Sequence, residues 1–312
     1  MQISGLQVRI VVLLVGLTAC ETPADPWALY TSHADSARAA ELQREMICAQ
    51  PRSLALRAAP VRVLRVARAD FSARCESAFG RCPEDDPRLH ALTLRGDIFL
   101  FEDADERTFA HEVAHTLQQG WPRGEVEDDA SRVRSALREG HANYSAKLLR
   151  GELDEWRWFA PPADPPIDKA HHPLDLAPAL GTWLFHWLVF HDRLDTLKMD
   201  EPPTSTSALL HPDRWPYAAP PSVCPDGQRW GELWIVRTLS RQIGLAGARR
   251  AGDGWVDDCQ LTRDGHLTWR TSWRSAADAA EFADAAARGW SEVAVACDGA
   301  TCIATWDETD GP

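Results

Sequence analysis

Between residues 89 and 150 the hydrophobic pattern changes period twice. Residues 89–102 (LHALTLRGDIFLFE) alternate in two short runs parted at Arg95-Gly96-Asp97, which predicts two strands and a tight turn. A helix follows, opened by Asp103 or Asp105 and closed at Gly120-Trp121-Pro122. An acidic stretch at 123–129, read as exposed, leads to a second helix over about Ser131–Leu149, with Val133, Leu137 and Leu148 as its apolar positions. Upstream, residues 36–46 are rich in alanine and glutamate and predict a helix stopped by Pro51 and Pro60. Residues 61–74 alternate apolar and polar and predict a strand, and 75–88 predict a polar loop. Downstream, 174–198 predict an apolar helix and 230–244 an amphipathic one. Residues 255–273 predict a hairpin turning at Asp264-Gly265, Ser275 opens a helix to Arg288, and 290–306 predict a second hairpin with Gly299 at its tip.

These elements predict an α+β fold, mainly helical with a small sheet, and a small C-terminal α+β module. Pro220-Pro221 and Cys224-Pro225-Asp226-Gly227 mark the boundary between them. The expected organisation is a signal peptide at 1–19, a tether and N-terminal helix at 20–60, a core domain at 61–218 and the module at 219–312.

The first of the two central helices carries His111-Glu112-Val113-Ala114-His115, an HExxH pattern. Positions i and i+4 lie on one helix face, so both imidazoles can reach one small ion. Glu112 falls beside that ion and can take a proton from a water that the ion activates, the reason metalloproteases carry the pattern. A catalytic zinc needs a third protein ligand, and Glu139 on the second helix is the candidate. Ala136 and Ala142 flank it at three residues on either side, and small residues there let the two helices approach. Gly140 costs helix stability and predicts tight packing or a local irregularity. Asp128 and Asp129 compete as ligands but fall in the polar connection. Strands followed directly by such a helix suit a zincin-like α+β core. For the oxyanion of a hydrolytic transition state His211 is the first candidate stabiliser, ahead of Tyr144 and Tyr217. A histidine that bonds backbone at a turn fits His211 equally well. His186 and His191, on an apolar helix, read as packed and hydrogen-bonded. Trp121, Trp156 and Trp158 are candidates to line a cleft.

Composition changes this picture in two ways. Of 312 residues, 33 are Lys or Arg and 46 are Asp or Glu, a net charge of −13 that disfavours nucleic acid and anionic lipid head groups. The chain opens with Arg9, an apolar run and Cys20, a secretory signal rather than a spanning helix. Leu17-Thr18-Ala19-Cys20 resembles a bacterial lipobox, which implies cleavage before Cys20 and a lipid anchor on it. Glu21 after the cysteine gives no signal for inner-membrane retention, so the expected address is the cell envelope, at the outer membrane. Export to an oxidising compartment predicts disulfides. Cys75 with Cys82 and Cys297 with Cys302 close short loops, Cys224 with Cys259 is a weaker pair, and Cys48 is left over.

The combination of HEVAHTLQQ at 111–119 and LREGHANY at 137–144 resembles bacterial exported zinc metallopeptidases of the gluzincin type. Those proteins have HExxH, a run like Leu-Gln-x-Gln, and then Leu-x-Glu-Gly-x-Ala on the next helix. The resemblance extends to PPTSTSALLHPDRWPY at 202–217, to the apolar helix before it, and to GWVDDCQ and TSWRSAADAAEF after it, covering most of 90–290. It implies zinc on His111, His115 and Glu139, Glu112 as general base and a peptide or protein substrate. Two positions depart from the pattern: His141 stands where relatives often carry an acid, and Asp257-Asp258 stands where they usually have Gly-Asp. The alternative that these departures raise is a binding or scaffold lipoprotein that keeps the fold without proteolysis.

Overall fold

The computed structural model describes residue 25 and residues 27–79, 89–122, 128–163, 165–167, 173–214, 228–263, 266–290 and 293–307. The signal segment, Cys20, Cys82, Tyr217, the boundary at 220–227 with Cys224, and the turn at 264–265 lie outside the described residues.

Helix α1 (His33–Ala49) opens on Ser32, whose hydroxyl accepts the Asp35 N–H, and buries Ala39, Leu42, Gln43 and Met46 along one face. Strand β1 (Arg62–Arg65) is shorter than the alternation at 61–74 predicts, because helix α2 (Arg68–Phe79) begins three residues later. Phe71 and Cys75 lie four apart on α2, and both are buried. Phe71 packs on Phe99 and Phe101 with ring centroids at 5.0 and 5.5 Å. That contact with the sheet favours a helical spacing that the alternating letters conceal.

Strands β2 (Ala91–Leu94) and β3 (Asp97–Leu100) form the expected hairpin. Arg95 and Gly96 turn it with φ of 53° and 92°, both left-handed as a two-residue hairpin turn requires. β1 joins β3 in parallel, so the sheet order is β1-β3-β2, with β2 at an edge among the described residues.

Helix α3 (Glu106–Leu117) is capped by Asp105, which accepts the Thr108 N–H at 2.7 Å. Helix α4 (Asp129–Leu149) is capped by Asp128, which accepts the Ser131 N–H at 2.7 Å. After the short α5 (Asp154–Trp158), helix α6 (Pro173–Phe190) lies along α4. Glycine is required where these two helices meet. A Cβ on Gly181 would stand 1.8 Å from the Ala136 carbonyl oxygen, and one on Gly140 would stand 2.4 Å from the Gly181 backbone.

The chain continues through α7 (Ser207–Leu210), α8 (Gly231–Ile243) and α9 (Leu245–Gly252) to strands β4 (Trp255–Arg263) and β5 (His266–Trp273). Helix α10 (Ala276–Gly289) is capped by Ser275, and β6 (Ala294–Asp298) and β7 (Thr301–Asp307) complete an antiparallel sheet ordered β4-β5-β7-β6. Cys297 and Cys302 face each other across β6 and β7 and are disulfide-bonded. Cys75 and Cys259 each take part in a disulfide of their own, and Cys48 is free and exposed. Trp269 is fully buried, with Trp230, Trp234 and Trp290 at 5.6, 5.0 and 5.9 Å. The buried apolar cluster around it runs without a break into α4 and α6, from Leu54 to Trp306.

Asp129 corrects the reading of 123–129 as exposed, since it is fully buried. It accepts the Thr206 backbone N–H and hydroxyl, and Gly231 (φ 79°) passes so close that a Cβ would sit 1.8 Å from Asp129 Oδ1. Asp258, also buried, accepts the Trp230 and Gly231 N–H groups at 2.8 and 3.1 Å and the Trp269 indole at 2.7 Å. Two carboxyl groups therefore join the start of α4 to α8 and the second sheet. Burial, against the Thr206 donors and with the charge of Asp258, pushes Asp129 up to about 7.

Two stability predictions follow from this packing. Gly181→Ala should destabilise the protein by about 3 kcal/mol in chemical denaturation, because the added methyl meets backbone that cannot turn away. A raised carboxyl pKa stabilises fully below the ordinary value of about 4, and that contribution is lost as pH rises through about 7. Asp129→Asn should therefore melt above wild type at pH 8, with the gap narrowing towards pH 4.

Candidate metal centre

Helix α3 sets His111 and His115 one turn apart, with ring centroids at 4.7 Å. Helix α4 crosses α3 and brings Glu139 to the same point. At 100° per residue, Ala136 and Ala142 fall about 60° to either side of Glu139. The two alanines therefore do not share one contact, as the small-residue reading supposed. Ala136 and Gly140 pack towards α6, while Ala142 and Ala146 pack with Ala110, Val113 and Ala114 of α3. Glu139 points into the angle between these contacts, at the two imidazoles.

The three side chains converge. His111 Nε2 and His115 Nε2 are 3.1 Å apart, and the Glu139 oxygens lie 3.4 Å from the first and 3.5 Å from the second. Metal–ligand bonds of about 2.0–2.1 Å at tetrahedral angles hold ligand atoms about 3.3 Å apart, so these separations match one ion shared by all three. Among the described residues this is the one group of three histidine, cysteine or acidic side chains close enough to hold an ion. Two imidazole nitrogens and a carboxylate suit a divalent transition metal and leave a coordination position open.

Each ligand histidine is held from behind. His111 Nδ1 donates to Asn143 Oδ1 at 3.1 Å, and Asn143 Nδ2 donates to Thr182 Oγ1 at 2.8 Å. His115 Nδ1 donates to Gln118 Oε1 at 3.0 Å. Both protons on Nδ1 leave both Nε2 lone pairs for an ion. Burial works to lift Glu139, yet positive charge on the facing imidazoles, when they are protonated, and the hydrogen bond from His111 prevail and hold it down at about 2, so the carboxyl is ionised. Burial works to lower His111, but Glu139 and Glu112 outweigh it and raise it.

Glu112 is buried beside this group, with Thr93 Oγ1 at 2.7 Å from its Oε2. An open cleft of about 340 Å³ takes in His111, Glu112, His115 and Glu139 together with Arg138. Ala91, Leu92 and Thr93 of the edge strand β2 form part of its wall.

The other expected site residues lie elsewhere. His211 is outside the cleft wall and places Nε2 2.8 Å from Glu232 Oε1 and 3.8 Å from Asp253. Tyr144 is buried against Trp156 and Phe185. Trp121 and Trp156 are core side chains, and Trp158 is exposed, so none of the three lines the cleft. His186 bonds the Phe159 carbonyl oxygen and stacks on Trp156. His141 is fully buried between Gln118 and Gln50, and burial with the charges of His115 and Arg138 lowers it to about 3. Gln118, Asn143, Thr93 and Arg138 were not singled out from the sequence. Gln118 lies three residues after His115 and Asn143 four after Glu139, helical spacings that place each on the face of its ligand.

No protein-family model matches the chain, and no curated protein or solved structure is significantly similar to it.

Metal content supplies the direct check on this centre. Wild type should retain one divalent ion per chain after dialysis, and His115→Ala and Glu139→Ala should lose it while keeping their circular dichroism, with the metal counted by mass spectrometry.

Proposed function

We propose that the protein is a zinc metallopeptidase with a zincin-like core, exported and held at the cell envelope by a lipid on Cys20. The observation that carries this reading is the meeting of His111, His115 and Glu139 with Glu112 in a cleft walled by an edge strand. A zinc ion held by the three ligands supplies Lewis acidity to a water and to a carbonyl group.

The chain's own residues do the rest. Glu112 accepts the proton of the attacking water and delivers it to the leaving amine. Thr93 holds the Glu112 carboxylate in place, its hydroxyl donating to Oε2 at 2.7 Å. Among the described residues β2 pairs on one side only, so an extended peptide can lie along its outer edge with main-chain hydrogen bonds. That edge favours a peptide over a compact small molecule. Arg138 puts a cation in the wall of the same cleft, suited to the oxyanion or to a substrate carboxylate.

The departures from the family pattern do not favour the scaffold alternative. His141 fills its position with hydrogen bonds to Gln118 and Gln50, and Asp257 is buried outside the cleft wall. Among the described residues no helix is long and apolar enough to cross a membrane, so the proposed attachment rests on Cys20.

Glu112→Gln should keep its zinc and lose hydrolysis of a broad peptide library by about 100-fold or more. Undiminished cleavage by that variant removes Glu112 from the mechanism, and a zinc-loaded wild type that cleaves no peptide leaves the scaffold role.

A further inference from the structure

The carboxamide of Gln118 stands at the centre of a buried chain of hydrogen bonds whose directions are forced. Its Nε2 lies 2.8 Å from the Arg138 carbonyl oxygen, which can only accept. The amide nitrogen therefore faces Arg138, and Oε1 faces His115. Oε1 in turn can only accept, so His115 Nδ1, 3.0 Å away, carries the proton. The second hydrogen on Gln118 Nε2 points at His141 Nδ1, 2.8 Å away, which must be bare. A neutral His141 with a bare Nδ1 has its proton on Nε2, where Gln50 Oε1 accepts at 2.9 Å. Gln50 Nε2 then donates to Ser145 Oγ at 3.0 Å, which itself lies 3.2 Å from His141 Nε2. Gln118, His141 and Ser145 are fully buried, so water cannot replace a broken member of the chain.

We infer that Gln118 is a positioning residue and that Gln118 and His141 together lock the tautomer of His115. If the amide turned over, its NH₂ would face His115 Nδ1, the proton would move to Nε2, and the ligand lone pair would be lost. The Arg138 carbonyl oxygen opposes that turn, because it can only accept and would then face an amide oxygen, and His141 opposes it as long as its proton stays on Nε2 towards Gln50. The lock uses a carboxamide where a carboxylate is the commoner partner of a metal-bound histidine. It orients the ring without adding negative charge behind it. This inference rests on the metal centre proposed above and goes beyond it in assigning roles to Gln118 and to the departure at His141.

The test uses the chain with ¹⁵N-labelled histidine, metal-free and loaded with Zn²⁺, read by long-range ¹H–¹⁵N correlation. With zinc, His115 is expected as the Nδ1–H form and His141 as the opposite Nε2–H form. His141 is expected to keep the Nε2–H form without metal. Gln118→Leu, which keeps the volume and removes the amide, should bind Zn²⁺ about 10–100-fold more weakly in competition with a chromophoric chelator. His141→Leu should weaken binding in the same direction. A His141 proton on Nδ1 overturns the lock, and so does an unchanged zinc affinity in Gln118→Leu. Should Gln118→Leu fail to fold, the tautomers of the wild type decide alone. A wild type that takes up no Zn²⁺ overturns the metallopeptidase reading instead, and the His141 tautomer of the metal-free chain still decides the lock.

Discussion

The backbone contact between Gly140 and Gly181 sets the rotation and depth of α4, and the geometry of the site depends on it. Gly140 directly follows Glu139 and directly precedes His141. Once α6 presses on that point, the carboxylate on one side of it turns to α3 and the imidazole on the other turns away towards α1. A Cβ at either glycine would meet backbone at 1.8–2.4 Å, so the two helices could not keep their present approach. The separations of 3.1–3.5 Å among His111, His115 and Glu139 depend on that approach.

One helix thereby serves three environments, separated by about 100° per residue. Ala136, Gly140 and Tyr144 face the large apolar cluster around α6. Ala142 and Ala146 face α3, with Glu139 and Asn143 between them at the imidazoles. His141 and Ser145 face Gln50 at the end of α1. Glu139, His141, Asn143 and Ser145 are polar because each meets a particular partner rather than water. That explains how an amphipathic pattern as weak as that of 131–149 can belong to a buried helix.

The C-terminal part of the chain is tied to the same helix at its other end. Asp129 and Asp258, with Thr206 and Gly231 between them, join the first turn of α4 to α8 and β4. The apolar cluster crosses the same junction without a break. Placing two buried carboxyl groups there is electrostatically unfavourable, and the cost is offset by donors from four residues: the Thr206 backbone and hydroxyl, the Trp230 and Gly231 N–H groups, and the Trp269 indole.

By itself the sequence determined what depends on neighbours along the chain. The spacing of His111 and His115, a cap at Asp103 or Asp105, the cap at Ser275, the β2–β3 hairpin and the Cys297–Cys302 hairpin each need only a few consecutive residues. Glu139 was legible as a candidate because a catalytic zinc on an HExxH helix would need a third protein ligand. Only the tertiary structure decided the rotation of α4, since the residue that sets it, Gly181, belongs to another helix. With that rotation came the partners of the ligands, Gln118 and Asn143, and the burial of His141. The end of β1 at Arg65 and the burial of Asp129 were hidden for the same reason. Phe71 is helical because Phe99 and Phe101 wait for it on the sheet, and Asp129 is buried because Thr206 and Gly231 close over it. Local letters carry propensity and spacing. Which face of an element is covered is a property of what arrives from elsewhere in the chain.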